Sequence, residues 1–158
     1  MLTKYLSIFV VSMIPIIELR GAMIMAAGWQ LDFFKSLLVC VIGNMLPVPI
    51  IYLFAHKVLL LLQGTKLFNK FATFFIEKGK KAGEKLTEKA GKKGTFLALL
   101  LFVGIPLPGT GAWTGTLGAS LLDLGFRKSV IAVLCGVILA GVIIGVLSSL
   151  GFAFILGL

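Results

Sequence analysis

A carboxylate and a guanidinium lie close together in an otherwise apolar stretch of this sequence. Glu18 and Arg20 belong to residues 12–21, SMIPIIELRG, in which Pro15 interrupts the apolar run. Either charge costs about 2.5–3.5 kcal/mol at the centre of a membrane helix, so such charges face protein or water. Arg20 could bind phosphate or carboxylate through two parallel hydrogen bonds, and Glu18 could carry a coupled proton or cation. We expect these two residues to form a functional site; the alternative is an internal ion pair that only fixes the local fold.

A second stretch of the same kind begins at residue 104 and reads GIPLPGTGAWTG. Its glycines allow backbone to approach a ligand closely, and Thr110, Thr114 and Thr116 offer hydroxyl donors. A purely structural turn, with Trp113 as a packing aromatic, is the alternative interpretation. The predicted substrate- or ion-binding residues are Glu18, Arg20, Gly21, Asn44, Pro106, Pro108, Gly109, Thr110, Gly111, Trp113 and Thr114.

Composition predicts an integral membrane protein. The chain has 158 residues, of which 59% are hydrophobic and 13% charged, and its mean hydropathy is +1.10. Soluble domains carry about 25% charged residues. The two cysteines, Cys40 and Cys135, lie in apolar runs without metal-ligand spacing. Since the sequence also contains no Ser/His/Asp set, we expect no enzymatic activity, no metal and no cofactor.

The apolar segments fall into two length classes. Residues 3–14 would form a helix of about 18 Å, and a span needs about 20 residues. Pro15 ends this segment, and the segment after Gly21 is again short. We therefore predict re-entrant helical hairpins over residues 3–31 and 95–122, and transmembrane helices over residues 36–62 and 129–158. Pro47 and Pro49 should kink the first of these helices, and Asn44 could satisfy the backbone that they free.

The two halves of the chain resemble each other. Ile-Pro at 14–15 matches 105–106 and Leu-Asp at 31–32 matches 122–123, both at an offset of 91. Lys-Ser at 35–36 matches 128–129, and Gly43 matches Gly136, at an offset of 93. A re-entrant hairpin returns to the side from which it entered, so each unit crosses the membrane once. The second unit must therefore have the opposite orientation in the membrane to the first. The predicted fold is an all-α integral membrane protein, with repeat unit 1 over residues 1–62 and repeat unit 2 over residues 95–158.

The basic residues concentrate between the two units. Ten of the fifteen lie between Lys57 and Lys93, beside apolar helices, so we expect anionic lipid head groups rather than nucleic acid as their partner. Residues 63–94 should form an amphipathic helix and a lysine-rich connector. The positive-inside rule makes this connector cytoplasmic and both termini external, in a multi-pass protein of the plasma (inner) membrane.

The motifs IPIIELRGA at 14–22 and PLPGTGAWTG at 106–115 resemble those of the small multidrug export family. That family is in turn similar to the DedA and VTT-domain membrane proteins, whose paired re-entrant loops flank a midplane site and whose members are linked to lipid movement. The resemblance implies functional roles for Glu18 and Arg20. The second hairpin departs from the DedA pattern, because it offers Thr110 and backbone where arginines are expected.

Three functions follow from these features. The leading hypothesis is a transporter of an anionic, phosphate-bearing lipid, such as a polyprenyl phosphate, with Glu18 as the candidate for proton or cation coupling. The second is an exporter or channel for small molecules or ions that uses the same cavity. The third is a membrane assembly protein without transport. Small residues four apart, among them Gly141 and Gly145, would also allow the last helix to pair with a second copy of the chain.

Overall fold

A computed structural model describes residues 1–55, 73, 77, 91–121 and 124–156 of the chain. All regular secondary structure within these ranges is helical, as predicted. Most of the predicted connector, residues 63–94, lies outside the described residues, as do His56 and Asp123. Two of the described helices are long and apolar enough to cross a membrane, and two shorter ones are apolar.

The first two helices fold back on each other. Helix α1 covers Leu2–Met13 and ends there because Ile14 precedes Pro15 and takes an extended conformation, with φ −73° and ψ 129°. The chain then turns and restarts as α2, Glu18–Gly28. Lys4 Nζ lies 5.8 Å from the centroid of the Trp29 ring, which brings the start of α1 next to the end of α2. These helices form the first helix pair.

A longer apolar helix follows and is broken by prolines. Helix α3 covers Phe33–Met45 and starts three residues earlier than predicted, because Asp32 Oδ1 accepts a hydrogen bond of 2.9 Å from the Lys35 N–H. The helix breaks at Leu46, continues as α4 over Pro47–Ile50, and ends in a π-helical turn over Ile51–Ala55. The break is the expected effect of two residues without an N–H group.

The second half of the chain has a similar order. Helix α5 covers Gly91–Gly104 and helix α6 covers Ala112–Leu121; they form the second helix pair. Between them residues 105–111 contain two glycines with positive φ, Gly109 at 81° and Gly111 at 142°. Helix α7 then covers Phe126–Leu156, 31 residues, and begins after Gly125, whose φ is 87°.

Glycines set the closest helix contacts. A Cβ added at Gly43 would lie 2.6 Å from the Phe9 carbonyl oxygen, so α3 packs tightly on α1. At Gly136 it would lie 2.7 Å from the Leu100 carbonyl oxygen, and α7 therefore packs just as tightly on α5.

Two further glycines of α7, Gly141 and Gly145, face helix α2. Leu19 contacts Gly141, and Met23 contacts Gly145. The small residues that suggested self-association are therefore covered within the chain at these two positions.

Candidate functional site

Glu18 caps the first turn of α6, a helix in the other half of the chain. Its Oε2 accepts a hydrogen bond of 3.2 Å from the Ala112 N–H, and its Oε1 accepts one of 3.0 Å from the Trp113 N–H. The first N–H groups of a helix have no partner inside it and carry the positive end of the helix dipole. The side chain is only 5% exposed. The anion position at this helix end is thus filled by a carboxylate of the protein itself.

Gly111 makes this capping contact possible. A Cβ built on it would lie 2.8 Å from Glu18 Cδ and closer still to Oε2. Its φ of 142° is also one that residues with a side chain rarely adopt. A glycine was expected here to admit a ligand; the group it admits is the Glu18 carboxylate.

Arg20 binds the opposite kind of helix end. Its Nη1 donates to the Leu107 carbonyl oxygen at 2.9 Å, and its Nη2 donates to the Val103 and Ile105 carbonyl oxygens at 3.1 and 3.4 Å. These carbonyls lie at or just beyond the end of α5, where the helix dipole is negative. Nη2 also donates to Thr110 Oγ1 at 2.9 Å. One guanidinium therefore holds the chain segment that links α5 to α6.

The two charged side chains thus join the two helix pairs. Each binds backbone groups of the second pair, and among the described residues no hydrogen bond links Glu18 to Arg20. The carboxylate sits at the positive end of α6 and the guanidinium at the negative end of α5, so both charges are matched by helix dipoles. In place of the ion pair that was the alternative interpretation, the described hydrogen bonds of both side chains run between the two helix pairs.

Access to the two charges differs. Glu18 is buried, whereas Arg20 is only half-buried. Each of the two turns carries an exposed large apolar side chain: Ile16, before α2, is 94% exposed, and Leu107, whose carbonyl binds Arg20, is 56% exposed. A guanidinium has five N–H groups, and the acceptors described above can engage only three of them, one on Nη1 and two on Nη2. The site therefore combines a charged donor with an apolar rim.

The other predicted site residues lie in different places. Thr110 lies at the contact itself, and its Oγ1 also reaches the Leu107 and Ile105 carbonyl oxygens, at 2.8 and 3.1 Å. Pro106, Trp113 and Thr114 are half-buried, whereas Pro108 and Gly109 are exposed at the turn.

Gly21 follows Arg20 in α2, and Asn44 lies near the end of α3. The Ile17 side chain occupies the space where a Cβ on Gly21 would lie. Asn44 is 2% exposed, at the end of α3, and its Oδ1 has no hydrogen-bond partner among the described residues. Neither residue makes a described contact with Arg20 or Glu18.

The sequence pointed to backbone groups in the second hairpin, but it did not identify which of them bind the two charges. The carbonyls of Val103, Ile105 and Leu107 and the N–H groups of Ala112 and Trp113 bind the charges, and no residue type signals a backbone ligand. The one available signal was the position of these groups, immediately before and after a helix break. Within the described residues, no group of three His, Cys, Asp or Glu side chains could hold a metal ion.

Fold and site define a small all-helical membrane protein whose two halves are joined by the charged side chains of Glu18 and Arg20. Comparison with protein families gives the matching identification. The chain belongs to the family described as "Putative small multi-drug export protein", whose model matches residues 18–143 and thus begins at Glu18. By that description the family is one of membrane transporters. Neither a comparison with curated proteins nor one with solved structures gives a match.

Proposed function

We propose that the protein transports an amphiphilic molecule with an acidic, phosphate-bearing head group, such as a polyprenyl phosphate, across the plasma (inner) membrane. The observation that carries this proposal is the set of hydrogen bonds that joins the halves of the chain: Glu18 to the start of α6 and Arg20 to the end of α5. Charges are retained inside a membrane protein mainly where a substrate, an ion or a moving contact requires them.

Helix lengths support a re-entrant arrangement of both helix pairs. Helices α1, α2, α5 and α6 contain 12, 11, 14 and 10 residues. Each falls well short of the ~20 residues that cross a bilayer. The two candidate spans, Phe33–Phe54 and Phe126–Gly151, are 22 and 26 residues long. In this arrangement the two turns meet near the membrane midplane, where non-helical backbone must face protein or a wet cavity.

Matched contacts support an inverted repeat. Phe9 and Leu100 differ by the same 91 positions as the matching Ile-Pro motifs, and Gly43 and Gly136 by the same 93 as the Lys-Ser motifs. In both halves it is the carbonyl of the first residue that touches the glycine of the following long helix. Two such units in opposite orientation would give the site one access from each side of the membrane, as transport requires.

The unequal exposure of the two charges favours an acidic substrate. Arg20 is half-buried and retains N–H donors, so an anion can reach it without first breaking a bond between the pairs. A cation would have to reach Glu18, which is buried and holds two N–H groups. Phosphate suits the planar donor pattern of a guanidinium, and the exposed side chains of Ile16 and Leu107 suit an apolar tail.

A transport step follows from the bonds that must change. A phosphate bound to Arg20 competes with the α5 carbonyls for the guanidinium. The same phosphate can replace the Glu18 carboxylate at the start of α6, because the N–H groups of a helix N-terminus bind either anion. Exchange of one anion for the other would separate the two helix pairs and open the site towards the opposite side. A proton or cation bound to Glu18 would compensate its charge after release.

Export of small molecules or ions is the second candidate, and the family description favours it. It uses the same site but predicts another substrate preference. The test is movement of labelled compounds into proteoliposomes that contain the purified protein. We expect polyprenyl phosphate to move faster than the uncharged polyprenol of equal length, because only the former binds Arg20. Equal rates, or rates no higher than in empty vesicles, would contradict the proposal; movement of a cationic dye alone would favour the second candidate.

A further inference from the structure

Several buried polar side chains have no hydrogen-bond partner in the part of the chain that the structure describes. Within the described residues, the unpartnered atoms are Ser36 Oγ, Asn44 Oδ1, Tyr52 Oη, Trp113 Nε1, Thr116 Oγ1 and Ser129 Oγ. Thr116 is fully buried, with 0% exposure. A threonine in a helix commonly bonds the carbonyl four residues earlier, but Thr116 does not. Such a group in a native interior is usually bonded to ordered water.

Thr116 belongs to a row of polar groups along α6 that begins next to Glu18. Ala112, Thr116 and Ser120 are four residues apart and share one face of α6. At one end of this face the Ala112 N–H binds Glu18; at the other, Ser120 Oγ donates to the Tyr52 carbonyl oxygen at 2.6 Å. Thr116 thus lies one helical turn after Ala112, whose N–H binds the carboxylate.

The row of polar groups continues beyond α6. The Tyr52 ring packs edge-on against Phe126, with 5.4 Å between the ring centroids. Ser129 follows one turn later in α7 and is 1% exposed. Tyr52 Oη and Ser129 Oγ are both unpartnered. Successive groups four residues apart on a helix are separated by about 6 Å, close to the distance that one water molecule bridges with two hydrogen bonds of about 2.8 Å.

The prolines in the segment opposite α6 also remove two backbone donors from the end of α3. Pro47 and Pro49 have no N–H, so the carbonyls of Gly43 and Met45 lose the donors that a continuous helix would provide. The π-helical turn Ile51–Ala55 follows at once. Carbonyls without donors at this depth in a membrane protein need protein or water as partners.

We propose that ordered water fills the seam between α6 and residues 47–55 and is bound by Thr116, Tyr52 and Ser129. This water forms a hydrated path from the buried Glu18 carboxylate to the end of α6. A carboxylate that leaves the α6 N–H groups for dry hydrocarbon would be strongly destabilised, and the path gives it water instead. This last role rests on the proposed function, whereas the hydration itself does not.

Labelling by hydroxyl radicals tests the hydration directly. X-ray pulses generate these radicals from water inside a protein as well as from bulk water, and Tyr52 is a reactive reporter on the seam. The matched reporter is Met23, which is 2% exposed and packs against Gly145, away from the seam. Methionine reacts faster with hydroxyl radicals than tyrosine does. In the wild-type protein in nanodiscs we expect Tyr52 to be labelled several-fold faster than Met23.

Two variants separate hydration of the seam from general accessibility. Thr116→Val keeps the shape of the side chain and removes its hydroxyl, and we expect it to slow labelling of Tyr52 several-fold. Ser12→Ala removes another buried hydroxyl, which already donates to the Phe9 carbonyl oxygen at 2.7 Å, and should leave the Tyr52 rate unchanged.

Equal rates at Tyr52 and Met23 in the wild type, or an unchanged Tyr52 rate in Thr116→Val, would overturn the proposal. Transport plays no part in this readout, so a failure of the proposed substrate would leave the labelling result intact.

Discussion

Replacement of Gly111 by alanine tests how the two halves of the chain are joined. The new Cβ would lie 2.8 Å from Glu18 Cδ, on a backbone with φ 142°. Strain at such a φ costs about 1–3 kcal/mol. Displacement of the carboxylate also removes two charge-assisted hydrogen bonds, each worth about 1.5–3 kcal/mol. With the lower figures, Gly111→Ala should lower the free energy of unfolding by about 4 kcal/mol.

The informative quantity is the coupling between Gly111→Ala and Glu18→Ala. Without the carboxylate the clash disappears, so Gly111→Ala in that background should cost only the strain of about 1–3 kcal/mol. The double variant should therefore be more stable than the sum of the single effects predicts, by about 3 kcal/mol. The wild type, the two single variants and the double variant form a double-mutant cycle. Reversible unfolding of each purified protein in mixed micelles, followed by circular dichroism, gives the four free energies that the cycle needs.

Additive effects, within about 0.5 kcal/mol, would refute the inferred contact between Glu18 and the start of α6. Gly151→Ala is the control, because a Cβ at that position meets nothing within 4 Å. Alanine is the better helix former, so this variant should be as stable as the wild type or more stable by up to about 1 kcal/mol.

Three further variants test other parts of the structure in the same unfolding assay. Arg20→Lys keeps the charge but loses the planar fork that reaches several carbonyls at once, so it should destabilise by about 1–3 kcal/mol; wild-type stability would contradict the role given to the fork. Gly136→Ala places a Cβ 2.7 Å from the Leu100 carbonyl oxygen and should cost about 1–3 kcal/mol, whereas a neutral effect would mean that α5 and α7 are not so close. Asp32→Ala removes the cap on the Lys35 N–H and should cost about 1 kcal/mol, unless Asp32 does not cap α3.

Features that depend on local covalent chemistry were predictable from the sequence. Pro15 and the Pro106–Gly111 stretch mark both helix breaks, because proline excludes a continuing helix and glycine permits the turn. Glu18 and Arg20 were recognisable because charge is costly in an apolar chain. The starts of the long helices were three residues off, because caps and turns at Asp32 and Gly125 set them.

The partners of the two charges were not predictable. Glu18 and Arg20 are two residues apart, so a local ion pair was the alternative to a functional site. In the structure they bind N–H and carbonyl groups at positions 103–113, and every residue type carries such groups. Which backbone groups lack partners depends on where α5 ends and α6 begins, and that is a property of the fold. The glycines of α7 were similarly ambiguous, because a small-residue face fits a helix of the same chain as well as one of a second copy.

The rate at which labelled polyprenyl phosphate crosses the membrane of proteoliposomes tests the central claim most directly, when wild type is compared with Glu18→Gln and Arg20→Gln. Loss of one charge-assisted hydrogen bond, about 1.5 kcal/mol, corresponds to about a tenfold lower rate, and we expect at least that for both variants. Glu77→Gln and Arg127→Gln remove the same charges from exposed positions and should retain the wild-type rate. Wild-type rates in both Glu18→Gln and Arg20→Gln would contradict the account, because the bonds between the two halves of the chain would then play no part in transport.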